Sequence, residues 1–455
     1  MLPDDVLLEI FDFYMYEVTV QDDYGYRESE MAMWLTLVHV CRRWRSVVFG
    51  SPHRLNLQLV CTARKPAAET LDVFPALPLA IEDVDCQEGV DNIVALLERR
   101  DIVRRISEID LWDFHLDDIS EAMEVPFPEL TTLSLHYLRD ETEPVIPLSD
   151  SFLGGSAPRL QSLELDNIPF PGLPKLLSST AHLTKLYLDR IPHSGYISPE
   201  VMVACLSLLT NLDVLSLGFQ SPQSHPDWES RRPPPSTRTA LPALIHFRFK
   251  GDGEYLEDLV ARVDAPRLNF FRTTFFNDID FNIPQFTQFI SRTPTMEAFD
   301  KASVVLSDHH ATIKLSLSTF YGRELEVGIS CGMRDWQVSF LEQVCTSFLP
   351  PLSVLDDLYI TNHRSLGDDI DNLSWLELHP FATMKNLYLS EAIAPHIVPA
   401  LQELVAGRVT EVLPNLQNIF VEKLQPSGPV QDGIGKFIAA RQLAGHPITV
   451  SRWDR

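Results

Sequence analysis

Gly328-Ile329-Ser330-Cys331-Gly332 is the stretch of this chain whose residue types and spacing come nearest to chemistry. A G-x-S-x-G between a strand and a helix is the setting of a nucleophile elbow, where a sharp turn exposes a serine hydroxyl for acyl transfer. Leu325–Ile329 alternates like a strand and Asp335–Val344 has helical spacing. Asp356 or Asp357 and then His363, His379 or His396 follow in the order of a Ser-Asp-His triad. No segment resembles an oxyanion hole, however, and a pattern with three fixed positions recurs by chance. The expected reading is a small-residue turn, with a serine hydrolase at Ser330 as a remote alternative. Gly428-x-x-x-x-Gly433 lacks the Lys and Ser/Thr of a phosphate-binding loop. His309-His310 and Asp368-Asp369-x-Asp371 have no partners at metal-ligand spacing. Asn372-Leu373-Ser374 has the form of a glycosylation acceptor, which matters only in a secreted chain. The expectation is a protein that is not an enzyme, with no catalytic, cofactor or metal site.

Composition narrows the partners. The 455 residues include 63 acidic and 37 basic side chains, a net charge of −26, and 45% are apolar. That apolar share is enough for a sizeable core and argues against global disorder. The acidity argues against nucleic acid, which needs clustered Lys and Arg, and leaves basic protein surfaces as candidate partners. No apolar run approaches the ~18–20 residues that span a bilayer. Met1-Leu2-Pro3-Asp4-Asp5 lacks the cationic start of a signal peptide. Cys41, Cys61, Cys86, Cys205, Cys331 and Cys345 are scattered without a C-x-x-C pair, which suits buried thiols in a reducing compartment. The expected location is cytoplasmic or nuclear, with no membrane partner.

Two kinds of element must position whatever binds. Val6, Leu7, Ile10, Phe11 and Tyr14 predict a short helix over residues 3–14, with Pro3, Asp4 and Asp5 suited to its first turn. The polar stretch Glu17–Glu30 reads as a loop. Trp34, Leu37, Val38, Cys41, Arg45 and Val48 predict one continuous helix over 32–49, closed by Gly50-Ser51-Pro52. Two helices of this size bury little alone and need another element or a partner chain.

From residue 53 a different pattern recurs: apolar, two polar, apolar-x-apolar. It reads Ile106–Leu111, Leu130–Leu135, Leu160–Leu165, Leu183–Leu188, Leu212–Leu217, Leu244–Phe249, Leu268–Thr273, Leu355–Ile360, Met384–Leu389 and Leu416–Val421. Spacings of 23 to 32 residues between consecutive copies, the gap after Leu268–Thr273 apart, mark irregular leucine-rich repeats, each offering one strand to a parallel sheet. Val90–Arg100, Pro199–Leu209 and Ala394–Val405 have the spacing of crossover helices. Ser221–Arg238, with Pro233-Pro234-Pro235, reads as a surface insertion, and acidic Asp140–Pro158 as a similar one. Between Met296 and Pro351 the register lapses. Ile313–Leu317 and Leu325–Ile329 are separated by only seven residues, too few for a parallel crossover, so a hairpin is the alternative there.

Leu2-Pro3-x-Asp5-Val6-Leu7-x-x-Ile10-Phe11, followed by Val40-Cys41-Arg42-x-Trp44, resembles an F-box, and the whole chain is similar to F-box proteins with irregular leucine-rich repeats that abound in fungi. The resemblance implies an α+β multidomain protein: a small all-α F-box at residues 1–52, then an α/β leucine-rich-repeat solenoid at 53–455 with a Pro-rich insertion at 221–238. It implies the substrate-recognition subunit of an SCF-type cullin–RING ubiquitin ligase. Leu2, Pro3, Leu7, Ile10, Phe11, Val40, Cys41 and Trp44 would then contact the adaptor subunit, and the repeats would hold the target protein. A non-ligase repeat scaffold is the alternative.

In such repeats the residue between the two apolar positions of each strand faces the open side. That column reads Asp110, Ser134, Glu164, Tyr187, Ser216, Arg248, Arg272, Tyr359, Tyr388 and Phe420, and the next begins Trp112, His136, Asp166, Asp189. Aromatic and charged members are the candidates for target contact, namely Asp110, Trp112, Glu164, Tyr187, Arg248, Tyr359, Tyr388 and Phe420.

Overall fold

The computed structural model describes residues 2–19, 34, 36–51, 54–55, 57–62, 77–82, 90–111, 113–138, 146–222, 237–276, 283–297, 299–317, 322–347, 355–362, 381, 383–405, 413–423 and 428–453. The chain folds into two compact units, Met1–Leu186 with Ser194–Tyr196, and Tyr187–His193 with Ile197–Arg455.

Unit 1 opens with helix α1 (Asp4–Thr19) and helix α2 (Arg42–Gly50). Leu7, Leu8 and Phe11 turn one side of α1 inward, where Phe11 meets Trp44 at 4.7 Å between ring centroids. Arg43 ties the ends together, bonding Asp4 at 2.6 Å and the Leu2 carbonyl. The expected single helix over 32–49 is broken. Trp34 and residues 36–40 are helical, but Cys41 is extended (φ −160°, ψ 168°) and begins α2 as its N-cap, its Sγ accepting from the Trp44 N–H at 3.5 Å. A thiol that satisfies an orphan amide of the first turn competes with helix continuation there.

The strands of unit 1 are β1 (Leu59–Cys61), β2 (Leu79–Glu82), β3 (Val103–Leu111), β4 (Thr132–Tyr137) and β5 (Ser162–Asp166). They pair in chain order and all in parallel. The expected small all-α domain is therefore not found: α1 and α2 belong to the same compact unit as these five strands. The physical reason is core size, because two short helices cannot bury enough apolar surface to stand alone. The fold is α/β, and sixteen of the eighteen described strands form mostly parallel sheet.

β6 (Lys185–Ile191) carries the boundary between the units. Unit 2 continues with β7 (Val214–Phe219), β8 (Thr239–Ala240), β9 (His246–Gly251), β10 (Val263–Asp264) and β11 (Phe270–Phe275). Then come β12 (Lys301–Leu306), β13 (His310–Ser316), β14 (Glu324–Ser330), β15 (Asp357–Asn362), β16 (Asn386–Leu389), β17 (Asn418–Glu422) and β18 (Thr449–Trp453). β8 and β10 pair separately. All ten copies of the sequence pattern lie on strands.

Period-2 alternation puts the leucines of each strand on one face, where they are nearly all fully buried against crossover segments. Phe271 stacks on Phe247 at 5.0 Å there and meets Phe286 and Phe289 of the helix Pro284–Arg292. That helix is held at its N-terminus by buried Glu257, which accepts from the Gln285 and Phe286 amides at 2.9 and 2.6 Å. A carboxylate at this end satisfies orphan donors and complements the helix dipole.

The hairpin reading of residues 313–329 is the one observed, and it has a third strand. β13 runs antiparallel to both β12 and β14, so the order is β9-β11-β14-β13-β12-β15. The turn from β12 to β13 closes with the Ser307 amide donating to the His310 carbonyl at 2.9 Å and the His310 amide donating to Ser307 Oγ at 3.1 Å. Arg272 and Tyr359 are consecutive in the column read from sequence. Here they are separated by three strands, because the meander leaves no repeat motif to count.

Candidate functional site

The N-terminal helices carry more apolar surface than they bury. Leu2, Val6, Ile10, Phe13, Tyr14 and Val40 are 40% to 66% exposed. Positions 6, 10 and 14 are spaced by four, which puts them in one stripe along α1, flanking the inward side formed by Leu7 and Phe11, with Leu2 just ahead of the helix. Of the residues expected to contact an adaptor, Leu2, Pro3, Ile10, Val40 and Cys41 are exposed and Trp44 is half-buried. Leu7 and Phe11 lie in the core and would act only by holding the stripe in place. Phe13 was missed. Helical periodicity marks a broad apolar face but does not say which part of it a second helix covers.

The open face of the strands is the second candidate. Ser134 aligns with Glu164, Ser216 with Arg248, Arg248 with Arg272, Tyr359 with Tyr388, and Tyr388 with Phe420, as the column reading requires. Asp110 does not fit that column. β3 has a register shift between Ile106 and Ile109, so Asp110 stands beside His136 rather than Ser134. Tyr187 is half-buried on β6, and Trp112 lies outside the described residues.

The face is divided chemically. In unit 1, Ser134 Oγ donates to Glu164 at 2.9 Å and lies 2.9 Å from His136 Nε2, while His136 Nδ1 is 3.6 Å from Asp166. The Ser-His-Asp order is that of a hydrolytic triad. However, the hydroxyl already points at a carboxylate, and the strands around it spend their amides in the ladder, so no oxyanion donors remain.

At the far end of unit 2 the rings of Tyr359, Tyr388 and Phe420 stack at 4.2 and 4.5 Å, each pair within 9° of parallel. Trp453 meets Tyr359 and Tyr388 edge-on at 5.7 and 5.5 Å, an aromatic that no repeat motif announces. Alongside runs a polar ladder: Asn386 donates to Asp357 at 2.7 Å, Asn418 to Asn386 at 2.7 Å, and Thr449 to Asn418. Burial is the main cause that raises the Tyr359 and Tyr388 hydroxyls above the ordinary tyrosine range, with the charge of Asp357 adding to both.

On β11, β13 and β14 of unit 2 lies a charged block. Arg272 bonds Glu324 and Glu326 at 3.3 and 3.0 Å, and Lys314 reaches Glu324 at 2.7 Å.

Ser330 ends β14 and is followed by the helix Arg334–Ser347, as the motif predicts. It is not an elbow. Ser330 pairs with His310 in the ladder, and the Cys331 amide, the donor an oxyanion would need, is spent on the His309 carbonyl at 2.7 Å. Ser330 is also not among the described residues with positive φ. Asp356 bonds Lys385 and Asp357 accepts from Asn386, while His363, His379, the Asp368–Asp371 cluster and Asn372 lie outside the described residues. Among the described residues no group of three or more His, Cys, Asp or Glu could hold a metal ion, and no helix is long and apolar enough to cross a membrane. The five described cysteines are free thiols, and burial pushes Cys345 up to about 12. No protein-family model matches the chain, and no curated protein matches it either.

Proposed function

We propose that this chain is the target-recognition subunit of an SCF-type ubiquitin ligase, docking on the adaptor through α1 and the Val40–Trp44 bend and presenting the open strand face to a target protein. The observation that carries this reading is the exposed apolar set Leu2, Val6, Ile10, Phe13 and Tyr14, together with exposed Val40 at the bend before α2. Interface centres are built from aliphatic and aromatic anchors of this kind, and so contiguous an apolar patch mostly marks a binding surface. The F-box-like motif falls on the same residues. Catalysis in such an assembly is proximity: the chain holds a target lysine near a charged conjugating enzyme and does no bond-making itself.

The test is a pull-down of the full chain with the adaptor subunit, comparing wild type with Ile10→Glu and Val40→Glu. Both side chains are exposed, so the substitutions leave the helical core intact, whereas Trp44 is packed on Phe11. Wild-type binding that falls by roughly thirty-fold or more per substitution is expected for central apolar anchors. A wild type that does not bind the adaptor sinks the ligase reading and leaves a scaffold whose strand face supplies the function.

A further inference from the structure

We propose that the hollow on the open face of the unit 2 sheet, lined by Lys250, Thr274 and Thr312 among others, binds a small organic phosphate monoester. The register places Lys250, Thr274, Gly328, Thr312 and Val305 in one row across β9, β11, β14, β13 and β12. Gly328 supplies no side chain in the middle of that row, and a Cβ there would come within 2.6 Å of Thr312 Cγ2. Thr312 thus covers Gly328, and a depression of about 520 Å³ on this part of the face has Arg272, Lys314, His310 and Ser330 at its rim. Hollows of this size suit small molecules. The G-x-S-x-G stretch that looked nucleophilic in sequence thus supplies Ser330 to the rim.

Charge identifies the ligand class. In a chain of net charge −26 the hollow is lined by Lys250, Arg272, Lys314 and Glu326, with Glu324 bonded to Arg272 and Lys314 beside it, so the balance is one cation in excess. Lys250 forms no ion pair among the described residues and lies over the Phe276 ring at 5.8 Å. Arg248, which also has no ion pair among them, stands opposite Arg272 in the ladder. Like charges in register destabilise a sheet, and an anion between them removes the cost. Glu324 and Glu326 offset Arg272 and Lys314, which leaves Lys250 and the neighbouring Arg248 as the cations without a carboxylate among the described residues. The Thr274, Thr312 and Ser330 hydroxyls add neutral donors, and several cations with hydroxyls around one point form the donor set a phosphate dianion takes. The space beyond a phosphate's own size is what calls for an organic group on it. The larger hollow of unit 1, about 720 Å³, has no such excess of charge: Arg104 and Arg159 face Asp101 and Glu129 there.

The site is independent of whether α1 docks on an adaptor, so a direct titration tests it. The full chain is titrated calorimetrically with inorganic phosphate, with O-phosphoserine and with serine. Expected are saturable binding of both phosphates at one site, phosphoserine at least as tightly, and no binding of serine. Lys250→Ala, at an exposed position that should leave the fold intact, is expected to weaken phosphoserine roughly ten-fold or more, as the loss of a charge-assisted bond does. No saturable binding of either phosphate in the millimolar range overturns the proposal, and so does an unchanged affinity in Lys250→Ala. Phosphate binding without phosphoserine binding overturns the organic ligand.

Discussion

Two stretches of one strand face in unit 2 use the same ladder geometry for opposite chemistry. From β15 to β17 the strands are parallel and in register, and the residues at one position repeat as Tyr359, Tyr388 and Phe420. From β9 to β12 the equivalent row reads Arg248, Arg272, Glu326, Lys314, Ser303. Neighbouring strands lie about 4.8 Å apart, which is close to the offset at which rings stack, so like aromatics gain from adjacency. Like charges at that distance repel, so the second row must alternate or leave a cation uncompensated. It does both. The aromatic row closes on itself under Trp453, whereas the charged row adjoins a hollow and leaves Arg248 without an ion pair among the described residues. The first reads as a rigid platform and the second as a place where a charged ligand is needed.

The comparison breaks most readily at the middle ring. Tyr388→Ala removes both stacked pairs and the Trp453 contact, and a loss of about 2–4 kcal/mol is expected in urea unfolding. Added salt should leave that loss unchanged. Arg272→Met breaks the bonds to Glu324 and Glu326 at a position 44% exposed on its side chain, so its cost is about 1 kcal/mol or less and should shrink further in salt. Equal salt dependence for the two variants would erase the distinction between the regions.

The smallest effect is a titration. Because the folded chain holds Tyr359 and Tyr388 above the ordinary value, their contribution to stability is complete below about pH 10. It is lost as the pH climbs through their folded values, since the unfolded chain gives up those protons first. The melting temperature should therefore fall in that alkaline window, and less steeply in Tyr359→Phe. An unchanged slope in that variant would place the titration elsewhere.

Much of this was legible in the residues. Each copy of the apolar pattern became a strand because a period-2 run with flanking turns has few other ways to bury its leucines. Seven residues between two alternating runs excluded a parallel crossover, and an antiparallel pair is what formed. Other features were not legible. A register shift inside β3 moves Asp110 by a step that no local pattern records. Cys41 reads as one more residue of a helical face, yet its thiol caps a new helix. Trp453 reaches Tyr359 and Tyr388 from another strand.

By itself the sequence determined which segments become strands and helices, which side of each carries the apolar residues, and that α1 has more apolar surface than its own core can use. Those are properties of short-range spacing, dictated by backbone geometry. Only the tertiary structure decided that α1 and α2 join the first strands in one compact unit instead of standing apart. It also decided that three strands enter between Arg272 and Tyr359, and that Ser330 pairs with His310 in the ladder rather than standing on a nucleophile's turn. The physical reason is that strand order and register are settled by side chains meeting across the sheet, at distances in sequence that no local period encodes.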